Sequence, residues 1–472
     1  MNQDLIRNRP YSALTVGESA SLTRTVGQND IDLFAAISGD INPAHMDPQF
    51  AAGSQFGHVI VHGMWTAGLI SAVLGTQLPG PGTIYLDQEL RFRRPVAPGD
   101  VITATVTVRE KREPGRVVVL DTVCTNQRHE AVLQGAATVL APSEAIAWPR
   151  MRAPNAMVHR HDRLEALLRA ASEKPPLRVA VVHPCSRDAL LGALEARDAG
   201  LIEPVLVGPA ARIRALAEEA QIALDGMRVE DVPHSAAAAL RAVEMASQRE
   251  VAALMKGSLH TDELLAAVVS SGSGLRTERR ISHAYLMDLP GYPKPLVITD
   301  AAINIAPTLT QKRDICQNAI DLMHVMGVAD PLVAVLAAVE TINPEMPATL
   351  DAAALTQMAR RGQITGAQVD GPLAFDNAIS LVAAQTKGIQ STVAGSADIL
   401  LAPNLEAGNM LAKQLLYFAD ADAAGLVLGA RVPIFLTSRA DRLQVRLASA
   451  ALGKLVAERG AVNADGILPG AT

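Results

Sequence analysis

Residues 38–48 read Ser-Gly-Asp-Ile-Asn-Pro-Ala-His-Met-Asp-Pro, and they place an acid, an amide and an imidazole close together. The glycine and the two prolines restrict the backbone to a fixed, non-repetitive path. A tight loop of this kind can aim Asp40 and His45 at one point, with Asn42 between them in the chain. Adding water across an activated double bond needs such a pair, because one group deprotonates the water while a proton is delivered to carbon. Taken alone, this spacing is more typical of a capped turn.

A second part of the same site is predicted at Val61-His62-Gly63-Met64. A glycine at the start of a helix leaves backbone N–H groups free at the helix N-terminus. Those donors, with the helix dipole behind them, suit a thioester oxygen that gains negative charge during the reaction. His62 also has a structural interpretation, since a histidine beside a buried helix is often a hydrogen-bonded core residue.

The sequence around these segments predicts an antiparallel sheet. Four runs are rich in valine and threonine and alternate apolar with polar residues at least in part, as strands do: 90–92, 101–108, 116–124 and 131–140. The apolar stretch from Gly63 to Leu74 is long enough for a buried helix. A sheet wrapped around one long helix is the simplest architecture that fits.

Residues 31–108 resemble the MaoC-like family of R-specific enoyl-CoA hydratases, through the motif above, FGHVIVHGM at 56–64 and FRRPVAPGD at 92–100. The resemblance implies the α+β hot-dog fold, a curled antiparallel sheet around a central helix. It implies hydration of a trans-2-enoyl-CoA to the (3R)-hydroxyacyl-CoA, or the reverse, with Asp40 and His45 as the acid–base pair. Asn42 would help to hold the loop and the water, and the Gly63 N–H would polarise the thioester carbonyl.

The rest of the chain has a different pattern of apolar residues. Residues 142–154 are proline-rich and lack periodicity, which indicates a linker, and 161–171 predict a short helix. From Leu177 to about 431–436, short apolar β-type runs alternate with helical stretches, which is typical of parallel βαβ units. We therefore predict three regions, namely the hot-dog domain at 1–141, a linker with a short helix at 142–175, and an α/β domain at 176–472.

Four segments of this α/β part stand out, at 254–261, 300–307, 371–378 and 398–442. Lys256-Gly257-Ser258 follows one apolar run and Ser438-Arg439 follows another, which is where parallel sheets bind ligands. Glycine permits close backbone approach, and serine, threonine and arginine supply donors for a phosphate. The Lys-Gly-Ser sequence is not a nucleotide P-loop, because glycine and lysine are in the wrong order and the upstream glycine is missing.

Together, in this order and over residues 177–459, these segments resemble the phosphate acetyl/butyryltransferase family. The resemblance implies two α/β subdomains facing each other across a cleft, and acyl transfer between CoA and inorganic phosphate without a metal or prosthetic group. Ser438 and Arg439 match the family's Ser-Arg motif and are the leading catalytic candidates. The substrate-binding positions that the same motifs imply are Lys256, Gly257, Ser258, Thr261, Asn304, Asp376 and Asn409.

One departure from the family's pattern concerns the general base that deprotonates the thiol. In acetyltransferase-type members an aspartate follows the Ser-Arg pair by nearly two helical turns, and that place is Val445 here. Asp441 is nearer to the pair and is the available substitute. It has an alternative interpretation as the N-cap of a helix over 443–452.

The composition argues against several classes of protein. The net charge is −6 and the 42 lysines and arginines are spread along the chain, so nucleic-acid binding has no electrostatic support. Cys124, Cys185 and Cys316 are far apart, which predicts three buried, reduced thiols and not a disulfide scaffold or zinc site. No apolar run has the length of a membrane span, and residues 1–15 lack a secretory signal, so we predict a cytoplasmic protein without a membrane partner.

Both resemblances concern acyl-CoA thioesters. We therefore predict a bifunctional, homo-oligomeric enzyme that uses acyl-CoA, acyl phosphate and phosphate as substrates and binds no cofactor. One alternative is that the N-terminal part is a hot-dog thioesterase, although the Asp40/His45 spacing and His62-Gly63-Met64 favour the hydratase. The other is that one half has lost its chemistry and serves as a CoA-binding or oligomerisation module, for which Val445 makes the C-terminal half the more suspect.

Overall fold

The computed structural model describes residues 5–151, 156, 158, 162–224, 226–436 and 442–464. The chain divides into two compact units, one over Met1–His159 and one over Arg160–Thr472. Each unit has its own hydrophobic core and is described by itself.

The N-terminal unit is mostly antiparallel β-structure with one long helix. Its strands are β1 (Leu5–Arg7), β2 (Ser19–Thr25), β3 (Ile84–Phe92), β4 (Val101–Arg112), β5 (Val117–Thr125), β6 (Ala131–Leu140) and β7 (Ala147–Pro149). Its helices are α1 (Gln28–Ser38), α2 (Pro43–Met46), α3 (Pro48–Ala52) and α4 (Gly63–Thr76).

Five of these strands form one antiparallel sheet in the order β2-β4-β5-β6-β3. Residues 101–108 of β4 are alternately half-buried and buried, because successive side chains of a strand point to opposite faces. The buried side chains of β4, including Ile102 and Val106, belong to the same core cluster as Ile70 and Val73 of α4. The predicted architecture of the N-terminal unit, a sheet packed against one long helix, is confirmed.

The segment predicted as a linker contains a short strand. Its residues Ala147–Pro149 form β7, which pairs antiparallel with β1 at Leu5–Arg7. The Asn8 side chain contributes to this contact, since its Oδ1 accepts from the Ile146 N–H at 2.8 Å. The prediction missed this strand because an isolated three-residue strand has no periodicity and is defined only by its distant partner.

The second unit alternates strands and helices. Its strands are β8 (Leu177–Val182), β9 (Ile202–Gly208), β10 (Arg228–Asp231), β11 (Ala253–Lys256), β12 (Ser282–Asp288), β13 (Leu296–Thr299), β14 (Leu332–Leu336), β15 (Gln368–Leu373), β16 (Ile399–Leu401), β17 (Asp422–Leu428) and β18 (Ile434–Phe435). Its helices are α5 (Asp162–Ser172), α6 (Arg187–Asp198), α7 (Ala210–Glu219), α8 (Ser235–Ser247), α9 (Thr261–Val269), α10 (Leu309–Val325), α11 (Pro347–Arg360), α12 (Phe375–Ile379), α13 (Leu381–Thr386), α14 (Leu405–Phe418) and α15 (Leu443–Ala464).

These strands form one sheet of 11 strands, in the order β10-β9-β8-β11-β18-β17-β12-β13-β16-β14-β15. The first five are mutually parallel, and so are the last four. The two parallel blocks correspond to the two predicted subdomains, but they share a single sheet. Between them β17 and β12 run antiparallel to their neighbours, which corrects the prediction of parallel units throughout. The three antiparallel pairings from β18 to β13 reverse the strand direction. The first five strands therefore have their carboxyl ends at one end of the sheet, and the last four strands have theirs at the opposite end. Below, each of these two ends of the sheet, at which strands begin or finish, is called an edge.

All three cysteines are free and buried, as the sequence predicted. Burial raises the pKa of the Cys124 and Cys316 thiols to about 12, so both are protonated near neutral pH. In the part of the chain that the structure describes, no helix combines the length and the apolar character needed to cross a membrane.

Candidate functional site

The loop that carries Asp40 begins where α1 ends. Gly39 has a φ of 74°, a left-handed conformation that glycine adopts without strain, and it turns the chain out of the helix. Asn42 then caps α2, because its Oδ1 accepts from the Ala44 N–H at 3.1 Å. The Asp40 Oδ1 accepts from the Asn42 N–H at 3.3 Å. In this structure Asn42 therefore supports the loop, which is one of its two predicted roles.

His45 is held in one tautomer. Its Nδ1 lies 2.7 Å from the carbonyl oxygen of Ile60. Because a carbonyl oxygen only accepts, Nδ1 carries the proton in the neutral ring, and the lone pair is on Nε2. His45 is half-buried and Asp40 is exposed, so solvent can reach both. His45 can therefore act as a base through Nε2 while its ring stays fixed by the backbone.

His62 joins this site, although the sequence left its role open. Its Nε2 lies 3.0 Å from the backbone carbonyl of Asp40, and its ring centroid is 4.0 Å from that of His45. The side chain is buried, and its Nδ1 has no hydrogen-bond partner among the described residues. Burial lowers the pKa of His62, with the charge of His45 acting in the same direction. A neutral His62 can donate to the Asp40 carbonyl through Nε2 and places no positive charge beside His45.

Asp40, His45 and His62 each offer one atom to a group whose members lie within 4.8 Å of one another. One carboxylate and two imidazoles form a ligand set that a zinc ion accepts. A metal bound there would take the same lone pairs that acid–base chemistry at Asp40 and His45 requires. These three side chains can therefore bind a metal ion or carry out acid–base chemistry, but not both at the same time.

Gly63 is the first residue of α4, where backbone N–H groups have no acceptor within the helix. A Cβ atom at this position would lie 2.7 Å from the ring of Phe92, at the end of β3. A larger residue at this position would therefore displace the Phe92 ring, which is 54% exposed. The predicted role of the Gly63 N–H toward a thioester oxygen is compatible with this position.

In the second unit, Lys256-Gly257-Ser258 lies at the carboxyl end of β11, as predicted. The Gly257 N–H donates to the Val182 carbonyl at 2.9 Å, and a Cβ at Gly257 would lie 2.4 Å from that oxygen. The Lys256 Nζ donates to the carbonyl oxygens of Gly257 and Leu259 at 3.3 and 3.2 Å. Gly257 is thus required by the close approach of the loop to the end of β8.

Ser258 connects the loop after β11 to the loop after β8 by hydrogen bonds. Its Oγ donates to the His183 carbonyl at 2.7 Å, accepts from the Cys185 N–H at 3.1 Å and lies 3.3 Å from the His183 Nδ1. His183, which the sequence analysis did not select, has a φ of 55° and lies at the same sheet edge. Burial lowers its pKa, with the positive charge of Arg212 adding to the effect. Thr261 follows at the start of α9 and is half-buried.

The leading acyltransferase candidates, Ser438, Arg439 and Asp441, lie outside the described residues. The chain leading to them is described as far as Leu436, and β18 pairs in parallel with β11 through Phe435 and Met255. Val445, which stands where a base is expected, is a buried residue of α15 and has no titratable group.

The other predicted residues lie at the carboxyl edge of the second parallel block. The buried Asp300 carboxylate accepts from the N–H groups of residues 302–304 and, at 2.5 Å, from the Asn304 side chain. Asn409 donates to the Ala301 carbonyl at 3.0 Å. Asp376 is exposed and pairs with Lys387 at 3.2 Å, which lowers the pKa of its carboxyl group. The predicted binding residues therefore form two groups at opposite edges of the sheet.

His283 on β12 gives the second unit a pH-dependent stability. It is 1% exposed, its Nδ1 has no hydrogen-bond partner among the described residues, and burial lowers its pKa to about 4. Above pH 6.5 the imidazole is neutral in both the folded and the unfolded chain, so burial of His283 does not reduce the free energy of unfolding there. As pH falls from 6.5 toward 4, the unfolded chain gains a proton that the folded chain excludes, and we expect a loss of roughly 3 kcal/mol from this group.

Calorimetric unfolding of the second unit between pH 7 and 4 measures this effect. His283→Gln should unfold with a shallower dependence on pH, whereas the exposed His260→Gln should keep the wild-type dependence. An unchanged pH dependence in His283→Gln would contradict the prediction.

Comparison with known proteins gives a family match for each of the two parts of the chain. Residues 234–453 match the family model described as phosphate acetyl/butaryl transferase, and residues 13–127 match the model described as MaoC like domain. The phosphate acetyltransferase of Rickettsia felis is 59% identical over 294 residues, which are 62% of this chain and 84% of that protein.

Two solved structures are similar to separate parts of the chain. A branched-chain phosphotransacylase from Enterococcus faecalis is 28% identical, with a TM-score of 0.53, and the match covers 59% of this chain and 99% of that one. An R-hydratase from Pseudomonas aeruginosa is 42% identical, with a TM-score of 0.32, over 33% of this chain and 99% of its own.

The match to the acetyltransferase relative includes most of that protein's length at high identity, and the matched family region contains Ser438 and Arg439. The N-terminal match contains Asp40, His45 and Gly63. The chain therefore belongs to the phosphate acetyl/butyryltransferase family, with a MaoC like domain at residues 13–127.

Proposed function

We propose that the chain carries two acyl-CoA activities. The N-terminal unit hydrates trans-2-enoyl-CoA to (3R)-hydroxyacyl-CoA, and the second unit transfers an acyl group between acyl-CoA and phosphate. The hydratase is supported above all by His45, whose Nδ1–Ile60 hydrogen bond leaves the lone pair on Nε2, and which has a ring nitrogen within 4.8 Å of an Asp40 carboxylate oxygen. The acyltransferase is supported by the identity with the Rickettsia felis enzyme.

In the proposed hydration, one water molecule is held between the Asp40 carboxylate and the His45 Nε2. His45 accepts a proton from the water while the water oxygen bonds to C3 of the enoyl group. The electron pair of the double bond moves toward the thioester, and the oxygen that becomes negative is stabilised by the Gly63 N–H at the start of α4. His45 then returns the proton to C2, so that one water is added overall.

In the proposed acyl transfer, a phosphate oxygen attacks the thioester carbonyl, and the CoA thiolate leaves to give acyl phosphate. The thiolate takes up a proton after it leaves, and in reverse the thiol must lose that proton before it attacks. Arg439 would neutralise the phosphate and stabilise the oxyanion in both directions, with Ser438 beside it. Neither reaction as written requires a metal or a prosthetic group. We also propose that the protein is a homo-oligomer, as the two resemblances in sequence imply.

The purified protein should hydrate crotonyl-CoA, which is measured as loss of the enoyl-thioester absorbance and as formation of the 3R product. The same sample should form acetyl phosphate from acetyl-CoA and phosphate. A thioesterase would instead release free thiol from crotonyl-CoA and acetyl-CoA without phosphate. If enoyl chains of short and medium length are not hydrated, the hydratase proposal fails, and the binding module is favoured when no thiol is released either.

A further inference from the structure

Arg280 is the outward end of a buried polar network. Its Nε donates to the Asn304 Oδ1 at 2.6 Å, and Asn304 is 3% exposed. The Asn304 amide donates in turn to the Ile281 carbonyl at 2.8 Å and to the Asp300 carboxylate at 2.5 Å. With its amide oxygen and both amide hydrogens engaged, Asn304 is fixed, and it fixes the plane of the Arg280 guanidinium.

The loop that holds this network is itself immobilised by α14. Gly408 packs so closely that a Cβ there would lie 2.3 Å from the Asp300 carbonyl oxygen. The Asn409 side chain donates to the Ala301 carbonyl at 3.0 Å, and the Leu405 N–H donates to the Ile305 carbonyl at 3.0 Å. The network therefore lies at the carboxyl edge of β13 and β16, where α/β sheets bind their ligands.

The guanidinium of Arg280 has no carboxylate partner within the part of the chain that the structure describes. Its neighbour Arg279 is different, because it forms an ion pair with Asp321. Arg276 and Arg431 are also exposed, and their backbone segments touch, since the Arg431 N–H donates to the Leu275 carbonyl at 2.9 Å. Among the described residues, Arg276, Arg280 and Arg431 therefore form no ion pair, although the Asp314 carboxylate lies close enough to accept from the Arg280 backbone N–H at 3.1 Å.

We propose that Arg280 binds a phosphate group of a substrate of the acyltransferase, through its Nη1 and Nη2 atoms. This inference rests on the proposed acyl-transfer function and adds a binding residue outside the Ser438-Arg439 motif. With Nε held by Asn304, the two terminal nitrogens present parallel N–H donors that match two oxygens of a phosphate. The group is a phosphate of CoA. The transferred phosphate is assigned above to Arg439, which follows β18 in the chain, and the carboxyl end of β18 lies at the opposite end of the sheet from Arg280.

Direct binding tests the proposal without requiring turnover. Isothermal titration calorimetry is carried out on the full chain with inorganic phosphate and, separately, with CoA. Arg280→Gln should weaken the binding of CoA by about 10- to 100-fold, because a charge-assisted pair of hydrogen bonds is lost, and should leave the binding of inorganic phosphate unchanged. Arg280→Lys should recover only part of it, since a lysine ammonium cannot present the paired donors. If Arg280→Gln weakens the binding of inorganic phosphate and not that of CoA, the assignment to CoA is overturned.

Arg279→Gln is the matched control, because it removes the adjacent arginine that is already paired with Asp321, and it should leave both affinities unchanged. Asn304→Ala should weaken the same ligand as Arg280→Gln, and the double variant should lose little more than either single variant. Unchanged affinity for both ligands in Arg280→Gln overturns the inference. Failure of the wild type to form acetyl phosphate would instead count against the proposed function.

Discussion

His45→Ala lowers kcat for the hydration of crotonyl-CoA by about 10²–10⁴-fold, because it removes the group that takes the proton from water and returns it to carbon. Asp40→Asn should cause a loss in the same range, since a neutral amide holds and orients the water less strongly than the carboxylate does. The KM for the enoyl-CoA should change little in both variants, because neither side chain is proposed to bind the CoA portion. Both constants follow from initial rates of absorbance loss.

His58→Ala provides the matched control for this prediction. His58 is exposed and lies in the same segment as Ile60, which anchors the His45 ring. Its removal should leave hydration unchanged. If His58→Ala is as inactive as His45→Ala, the loss reflects damage to the loop and not the loss of a base. Hydration that survives in both His45→Ala and Asp40→Asn would contradict the proposed mechanism.

Arg439→Ala should lower the rate of acetyl phosphate formation by about 10²–10³-fold, because it removes a donor that stabilises the oxyanion. Hydration by the same protein should stay at the wild-type rate, since Arg439 and His45 belong to separate units. The reverse pattern is expected for His45→Ala. Each purified variant is assayed for both activities, so that the ratio of the two rates cancels errors in protein concentration.

Arg442→Ala serves as the control for Arg439→Ala. Arg442 follows the Ser-Arg motif by three residues and precedes α15, so its removal changes the charge by the same amount at a nearby place. Acyl transfer should survive this substitution. A simultaneous loss of both activities in either His45→Ala or Arg439→Ala would contradict the independence of the two sites.

The local features of the N-terminal site could be predicted from the sequence. Asp40, Asn42 and His45 lie within six residues, so the glycine and prolines around them define the loop without distant partners. The same holds for Gly63, whose place at a helix start follows from the apolar run after it. The tautomer of His45 and the contact of His62 with the Asp40 carbonyl depend on the folded chain, since they join residues 15 and 22 positions apart.

The sheet of the second unit shows where prediction from local patterns ends. Short apolar runs correctly indicated strands such as Leu177–Val182 and Ile202–Gly208. The antiparallel direction of β12 and β17 was missed, because a fully buried strand has the same apolar pattern whichever way it runs. That direction is set by the connections, and it places Ser258 and Asn304 at opposite edges of the sheet.

The sequence by itself determined the order of the two domains, the kinds of elements in each and the acid–base motif, because these depend on residues that are near each other in the chain. Only the tertiary structure revealed the network from Asp300 through Asn304 to Arg280. Asn304 and Arg280 are separated by 24 positions, and their hydrogen bond forms because the start of β12 lies beside the carboxyl end of β13 in the sheet. Spacing along a chain does not encode such a contact, since it is created by strand pairing and by the burial of a polar group that must then be hydrogen-bonded.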